Sequence, residues 1–354
     1  MGIQGLNNFL KEKVKDVHNE VHLSKYRYKK MAVDTSLYMF KFKVAFGDNW
    51  ISAFINLVVC IRRNDIHCVF VYDTSAPIEK TAERNERKEK RDKMEREVYD
   101  LECAFEEYKT DGILSEALNK LIENANKKER GVTKRLLTTG HVNNSYLTII
   151  EQEINIKKKQ SVRIESKDFE LTRELFTIMN IPWLNATSEA EAYCSELCMA
   201  GIVDCVLSED SDVLAYGGRI FLSKINTSTD TVVEIIHSDM LEKCEMSREE
   251  FLDFCIMCGT DYNKNMPKIG PVSAFKLIKE YKSIDNLPKD IYDISVLNHV
   301  RVRELFTFNS DIDARVPYCK EPDYSRLEEF CFINHCRIDF SQLRKAYKAN
   351  LVFV

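Results

Sequence analysis

A chain of 354 residues, 44% hydrophobic and 30% charged, has an ordinary globular composition and enough length for one large domain or two modest ones. Its formal net charge of -5 argues weakly against a nucleic-acid partner, although acids gathered around cations would leave the outer surface free to be basic. The 12 cysteines form no compact disulfide framework, no signal peptide precedes them and no apolar run is long enough to cross a bilayer, so an intracellular, reducing compartment is expected: the nucleus for a cellular eukaryotic protein, the cytoplasm otherwise.

Gly2-Ile-Gln-Gly5 opens the chain and a short amphipathic segment follows over 6–14. Met1-Gly2 begins like a myristoylation signal, but Leu6 stands where a hydroxyl residue is needed. Residues 29–33 read as a strand ending at Asp34, followed by helices over 36–45 and 51–63. A second strand, 67–72, again ends in an acid, Asp73. This repetition predicts an α/β fold with a Rossmann-like, mainly parallel sheet flanked by helices. Neither G-x-G-x-x-G nor a P-loop is present, so dinucleotides and P-loop nucleotides are not indicated.

The stretch 78–97 is helical and dense in charge, with Lys80, Arg84, Arg87, Lys88 and Lys90 interleaved with acids. Such runs are commonly solvated helices held by i,i+4 pairs; the position directly after Asp73 is what makes this one notable. The region 99–167 reads as an insertion, helical over 112–126, basic over 127–135 and a polar loop over 141–145. A helix over 168–179 and a short strand over 181–184 resume the core.

Residues 187–216 hold two acid pairs, Glu189/Glu191 and Asp210/Asp212. Ser188 reads as an N-cap with Glu191 three residues on, so Glu191 is equally readable as the back-bonding member of a capping box. The apolar run 202–207 suggests a buried parallel strand, with Asp210 and Asp212 just beyond its carboxyl end. There they serve either as turn and cap residues or at a ligand site, because open α/β sheets bind beyond the C-terminal ends of their strands. A calcium loop is disfavoured, since D-S-D-V-L-A-Y lacks a third oxygen ligand and the turn glycine. Cys255 and Cys258 lie on one face of an apolar helix and read as core. Strands over 219–223 and 231–236 lead to a helix over 248–258, Asp261, and a helix over 272–281 opened by Ile269-Gly270-Pro271. Helix, tight turn and helix form a backbone-amide platform suited to a DNA phosphate. The tail from residue 286 reads as helices and loops without a catalytic signature.

These residues resemble the flap endonuclease family of 5′ structure-specific nucleases, which includes the related 5′ exonucleases. The carriers are M-G-I-Q-G-L at 1–6, A-V-D-T-S at 32–36, V-F-V-Y-D at 69–73, S-E-A-E-A at 188–192, S-E-D-S-D-V-L-A-Y-G at 208–217, C-G-T-D-Y at 258–262 and I-G-P at 269–271. The resemblance implies that Asp34, Asp73, Glu189, Glu191, Asp210, Asp212 and Asp261 surround two magnesium ions, with manganese able to substitute. Lys80 and Arg87 match the cationic pair of the arch helix, Phe40 the aromatic that stacks beside the cut, and Gly2 a backbone position close to the site. Arg84, Lys268, Ile269 and Gly270 are added as DNA contacts, with a potassium ion expected in the helix–two-turn–helix loop.

The implied layout is a PIN-like nuclease core with a helical arch: a first core half over 1–98, an arch or cap over 99–167 and a second half over 168–237. A helix–two-turn–helix element over 238–283 and a helical region over 284–354 complete it. The implied activity is cleavage near the junction of a 5′ flap, with 5′-to-3′ exonuclease action, by a monomer acting on flapped, nicked or branched DNA in replication, repair or recombination, without a membrane. Nicked or gapped ends and four-way junctions are the alternative substrates. A non-catalytic binding protein is disfavoured because all seven acids are kept. Lys268 replaces the first glycine of the usual G-I-G turn, the span from Asp34 to Asp73 is short, that from Asp73 to Glu189 is long, and no sliding-clamp peptide is recognisable at the end.

Overall fold

Runs such as Met31-Ala-Val33 and Cys68-Val-Phe-Val71 are apolar on both faces, and they pair as parallel strands in the middle of a sheet where both faces are covered. The computed structural model describes residues 2–129, 142–308, 312 and 314–348. Within them lies a 7-stranded sheet built from β1 (Asn19–His22), β2 (Lys30–Asp34), β3 (His67–Tyr72), β4 (Trp183–Asn185), β5 (Cys205–Leu207), β6 (Ile220–Asn226) and β7 (Thr231–Ile236), in the order β1-β7-β6-β5-β2-β3-β4. From β4 to β6 all neighbours run parallel, and β7 and β1 add antiparallel strands at one edge. The mainly parallel α/β class expected from the sequence is therefore present. β1 had no strand signal, and β5 is shorter than the expected 202–207.

From β2 the chain goes to β3 and β4 on one side, and β5 to β7 fill the other. Order reverses at β2, so crevices at the carboxyl ends of β2, β3 and β5 share one edge. Strand alternation separates two cores: Ala32, Val69 and Val71 face one cluster, while Met31, Val33, Cys68 and Phe70 face the other. The first is closed by α1 (Leu6–Lys13) and by some of the helices downstream of the insertion, the second by α2 (Thr35–Phe46), α3 (Trp50–Arg63) and the remaining downstream helices. A 3₁₀ turn, Gly47–Asn49, joins α2 to α3. By length and composition the combined helical stretch Thr35–Arg63 could cross a membrane, where none was expected. Its apolarity is accounted for by burial, since 61% of that window lies inside the protein.

Residues 82–163 form a separate compact unit. It contains α4 (Thr81–Asp111, whose first residue belongs to the main unit), α5 (Glu116–Glu129) and α6 (Val142–Gln160), and has its own small core that includes Leu101, Phe105, Leu118, Ile122, Ile150 and Ile154. α6 corrects the polar-loop reading over 142–145: Leu147, Ile150 and Ile154 recur at helical spacing and pack on α4 and α5. Residue 141 and most of the basic segment, 130–135, lie outside the described residues.

The main unit continues through α7 (Ser166–Ile178), α8 (Ala190–Met199), α9 (Asp212–Tyr216) and α10 (His237–Cys244). α11 (Arg248–Cys258) and α12 (Pro271–Tyr281) follow, then α13 (His299–Leu305), α14 (Tyr324–Ile333) and α15 (Phe340–Lys348). Ser247 starts α11 with a full capping box to Glu250, and Pro271 opens α12 at a position where a missing N–H costs nothing. All 12 cysteines are free thiols, and Cys255 and Cys258 are buried core as expected.

Candidate active site

Asp34 ends β2 and begins α2. Its Oδ1 accepts from the Leu37 N–H at 3.1 Å, as a helix cap does, while Oδ2 accepts from the Ser208 hydroxyl at 3.0 Å beside β5. It is thus a cap and a member of the acid group at once. Asp73 follows β3 and its Oδ1 accepts from the Ala190 N–H at 2.7 Å, at the first turn of α8. That bond explains a departure from the sequence reading. The N-cap of α8 is Glu189, not Ser188, and its side chain makes no capping bond. The capping-box role considered for Glu191 does not occur, and the carboxylates of Glu189 and Glu191 are left to other work.

Beyond β5, the Asp212 N–H donates to Asp210 Oδ1 at 3.0 Å and α9 begins. Asp261 sits in the turn after α11, next to Gly259, whose φ of 94° only glycine adopts readily. Of the seven acids, six are buried and Asp73 is exposed. The structure brings all seven to one sheet edge, where they act on one another electrostatically. Burial, then Asp73, raises the Asp34 carboxyl to about 7. Burial, with Asp210 and Asp261, pushes Asp212 well above the carboxylate range. Burial also raises Glu191, against the pull of Lys80, and raises Asp210 against the Asp212 N–H.

The shared counter-charge is Lys80. Its buried Nζ hydrogen-bonds Glu189 Oε1, lies 3.0 Å from Asp261 Oδ2 and 3.6 Å from Glu191 Oε1. Burial alone would lower its pKa, but Glu191, Glu189 and Asp261 outweigh that and hold it above the usual lysine range. Lys80 ends a 3₁₀ turn, Ile78–Lys80, that runs directly into α4, the helix that carries Arg87. Arg87 is in the other unit, paired with Glu83 one turn earlier, and Arg84 is exposed on the same helix.

Among the described residues no group of three or more His, Cys, Asp or Glu side chains is preassembled around a metal position. The donor chemistry nevertheless fits hard divalent cations, since every acid offers oxygen. Asp212 supplies a sharper test. It is fully buried, and neither carboxylate oxygen has a hydrogen-bond partner among the described residues. A buried, unpartnered carboxylate is costly unless a cation compensates it.

Gly2, at φ 80°, presses on this group: a Cβ there would collide with Oδ1 of Asp210 and of Asp212. Ile3 N–H donates to Ser211 Oγ at 3.0 Å and Gln4 N–H to the Gly259 carbonyl at 3.0 Å, which fastens the N-terminal segment to both acid loops. Phe40 is half-buried on α2. At the turn before α12, Lys268 is exposed and left-handed (φ 65°), Ile269 follows, and Gly270 is the N-cap. Lysine therefore adopts the conformation for which the resemblance expects glycine, at about 1 kcal/mol of backbone strain.

Sequence reasoning missed the tyrosines. Tyr262 Oη donates to Glu189 Oε2 and lies 2.7 Å from Tyr216 Oη. Each follows an acid of the group closely in sequence, Asp261 and Asp212, which is the one signal that pointed to them.

A family model of the XPG N-terminal domain matches residues 1–94, and one of the XPG I-region matches 180–261. The probable RAD2-like endonuclease 369L of Invertebrate iridescent virus 6 is 31% identical over 341 residues, covering 86% of this chain and 79% of the relative. The chain belongs to the XPG and flap endonuclease family of 5′ nucleases. A second family relative, the probable RAD2-like endonuclease 076L of Invertebrate iridescent virus 3, is 32% identical over 355 residues and covers 93% and 91% of the two chains. The fold matches the catalytic core of Rad2 in complex with DNA substrate, with a TM-score of 0.64 at 17% identity over 98% of this chain and 99% of that one. As a family member this protein is a metal-dependent phosphodiester hydrolase that acts on DNA.

Proposed function

We propose that the protein hydrolyses a phosphodiester near the junction of a 5′ flap, with 5′-to-3′ exonuclease action, in DNA replication, repair or recombination. The carrying observation is the acid group gathered at one sheet edge, with both carboxylate oxygens of the buried Asp212 lacking a hydrogen-bond partner among the described residues. Asp34, Asp73, Glu189, Glu191, Asp210, Asp212 and Asp261 would hold two magnesium ions. Bound there, the ions supply a lowered pKa for the attacking water and charge stabilisation for the departing 3′ oxygen. Lys80 orients the scissile phosphate with its ammonium, and Arg87 adds a second positive charge. Gly2 lets the backbone approach closely, and Phe40 offers its ring to the base beside the cut. Lys268, Ile269 and Gly270 place backbone amides and one cation against the duplex backbone, with a potassium ion in the same turn.

Labelled flap, nicked, gapped and four-way DNAs, each incubated with magnesium, test the reading through cleavage-site mapping. Cutting is expected at the flap junction, and chelation of the metal is expected to abolish it. No cleavage of any substrate in magnesium or manganese would overturn the proposal. Preference for nicked ends or four-way junctions would favour the second reading, which the three-residue Gly47–Asn49 connection between α2 and α3 supports. So short a link leaves little chain to open a junction.

Lys268→Gly should keep the turn, because glycine takes a left-handed φ freely, and should change stability by less than ~1 kcal/mol. It should weaken DNA binding at low salt and lower the slope of log affinity against log salt by about 1. A slope equal to that of the unaltered protein would remove Lys268 from the phosphate contacts.

A further inference from the structure

We infer that α13, in the tail that carries no catalytic motif, is a positioning strut that sets both Lys80 and Glu189; the inference rests on the nuclease reading above. Arg303 anchors the helix. Its Nε and Nη2 each donate at 2.6 Å to the buried Asp253 of α11, and Nη1 donates to Asp285 at 2.7 Å. From that fixed base α13 reaches the site twice. Arg301 Nε donates to Glu79 Oε1 at 2.7 Å, and Glu79 directly precedes Lys80 in the 3₁₀ turn. Phe306, next after α13, packs its ring 4.6 Å from Tyr216 and 5.3 Å from Tyr262. Tyr262 then holds Glu189 Oε2, while Lys80 holds Glu189 Oε1.

The contacts close a ring that leaves α13 through Arg301, passes Glu79, Lys80, Glu189 and Tyr262, and returns through Phe306. Its physical purpose follows from the groups involved. A lysine ammonium rides on a flexible four-carbon stem, and it is well placed only if the backbone beneath it is fixed. Glu189 is a buried carboxylate held at both oxygens, so loss of either contact frees it to rotate. Misplacement by about 1 Å at a reacting centre can reduce rate ~100-fold. The Arg301–Glu79 pair is partly exposed, and such pairs contribute little to folding. Removing it therefore tests position rather than stability.

The experiment uses the full chain with Arg301→Glu, Glu79→Arg, the double swap and Tyr262→Phe. Measured for each are single-turnover cleavage of a 5′-flap duplex in magnesium, affinity for the same DNA in calcium, Mn2+ binding by EPR without DNA, and the thermal midpoint. Arg301→Glu is expected to slow single turnover by ~10–100-fold with DNA affinity nearly unchanged, and the charge swap to recover most of that loss. Tyr262→Phe should slow cleavage to a similar degree and weaken Mn2+ binding. Rates of Arg301→Glu and Glu79→Arg both within about twofold of the unaltered protein, or a folded double swap that recovers nothing, would overturn the inference. An unaltered protein that cuts no branched DNA would instead sink the nuclease reading, and Mn2+ binding by Tyr262→Phe would still decide whether Tyr262 positions Glu189.

Discussion

Replacing Asp212 by asparagine should lower single-turnover cleavage by at least roughly 10²–10³ and, without metal, make the protein more stable. Both effects have one cause. Asp212 is fully buried with neither oxygen partnered among the described residues, so its charge is tolerable mainly when a cation faces it. Asparagine keeps the shape and removes the charge, which should stabilise the metal-free protein by about 1–3 kcal/mol and reduce the stabilisation gained on adding magnesium.

The pH dependence of the metal-free protein follows from the same group of acids. Asp34 has a folded carboxyl near 7, above the unfolded value of about 3.9. Between those values the folded state binds more protons than the unfolded one, so stability falls as pH rises from about 4 towards 7 and then levels off. Asp212, Glu191 and Asp210 are raised too and act in the same direction. Divalent cations bind the deprotonated carboxylates, so magnesium should flatten or reverse the slope. Chemical denaturation at several pH values, with EDTA or magnesium, measures this directly. A metal-free stability independent of pH, with no response to magnesium, would contradict a shared metal site built from these acids.

The second large effect is expected at Lys80. Lys80→Ala removes the ammonium that Glu189, Glu191 and Asp261 share, leaving buried carboxylates without their counter-charge. Breaking a buried pair in this way typically costs about 3–5 kcal/mol, and that loss should appear in EDTA. In saturating magnesium the difference should shrink, because the cations neutralise the same acids. Cleavage should stay ~100–1,000-fold slower even then, with DNA affinity changed far less, because the missing charge acts on the phosphate as it reacts. A metal-free stability equal to that of the unaltered protein would show that Lys80 is not the resting counter-charge. Single-turnover rates at the unaltered level would remove it from the chemistry.

The local part of this architecture was legible in the residues. Strand–acid–helix at Asp34 follows from a short apolar run broken by a residue suited to start a helix, a second apolar strand again ends at an acid, Asp73, and β3, β7 and α11 fall where the pattern put them. Other features were not. Asp34 serves as cap and as a member of the acid group together, and no pattern separates two roles that one carboxylate fills with its two oxygens. The start of α8 moved by one residue because Asp73, distant in sequence, supplies the capping oxygen. β1 is short, polar and exposed at an edge, so it carries no burial signal and exists through pairing with β7.

By itself the sequence determined the types of the main core elements and set Asp34, Asp73, Asp210 and Asp212 just beyond strands, because these depend on neighbours a few residues apart; the full set of seven acids was implied by the family resemblance. Only the tertiary structure decided that strand order turns at β2 and gathers the acids at one edge. It also decided that Lys80, in the 3₁₀ turn before α4, sits buried among them, and that a tail helix contacts Glu79 through Arg301 while Phe306 just after it packs on Tyr216 and Tyr262. Those outcomes depend on burial and charge between segments far apart in the chain, and local periodicity holds no record of them.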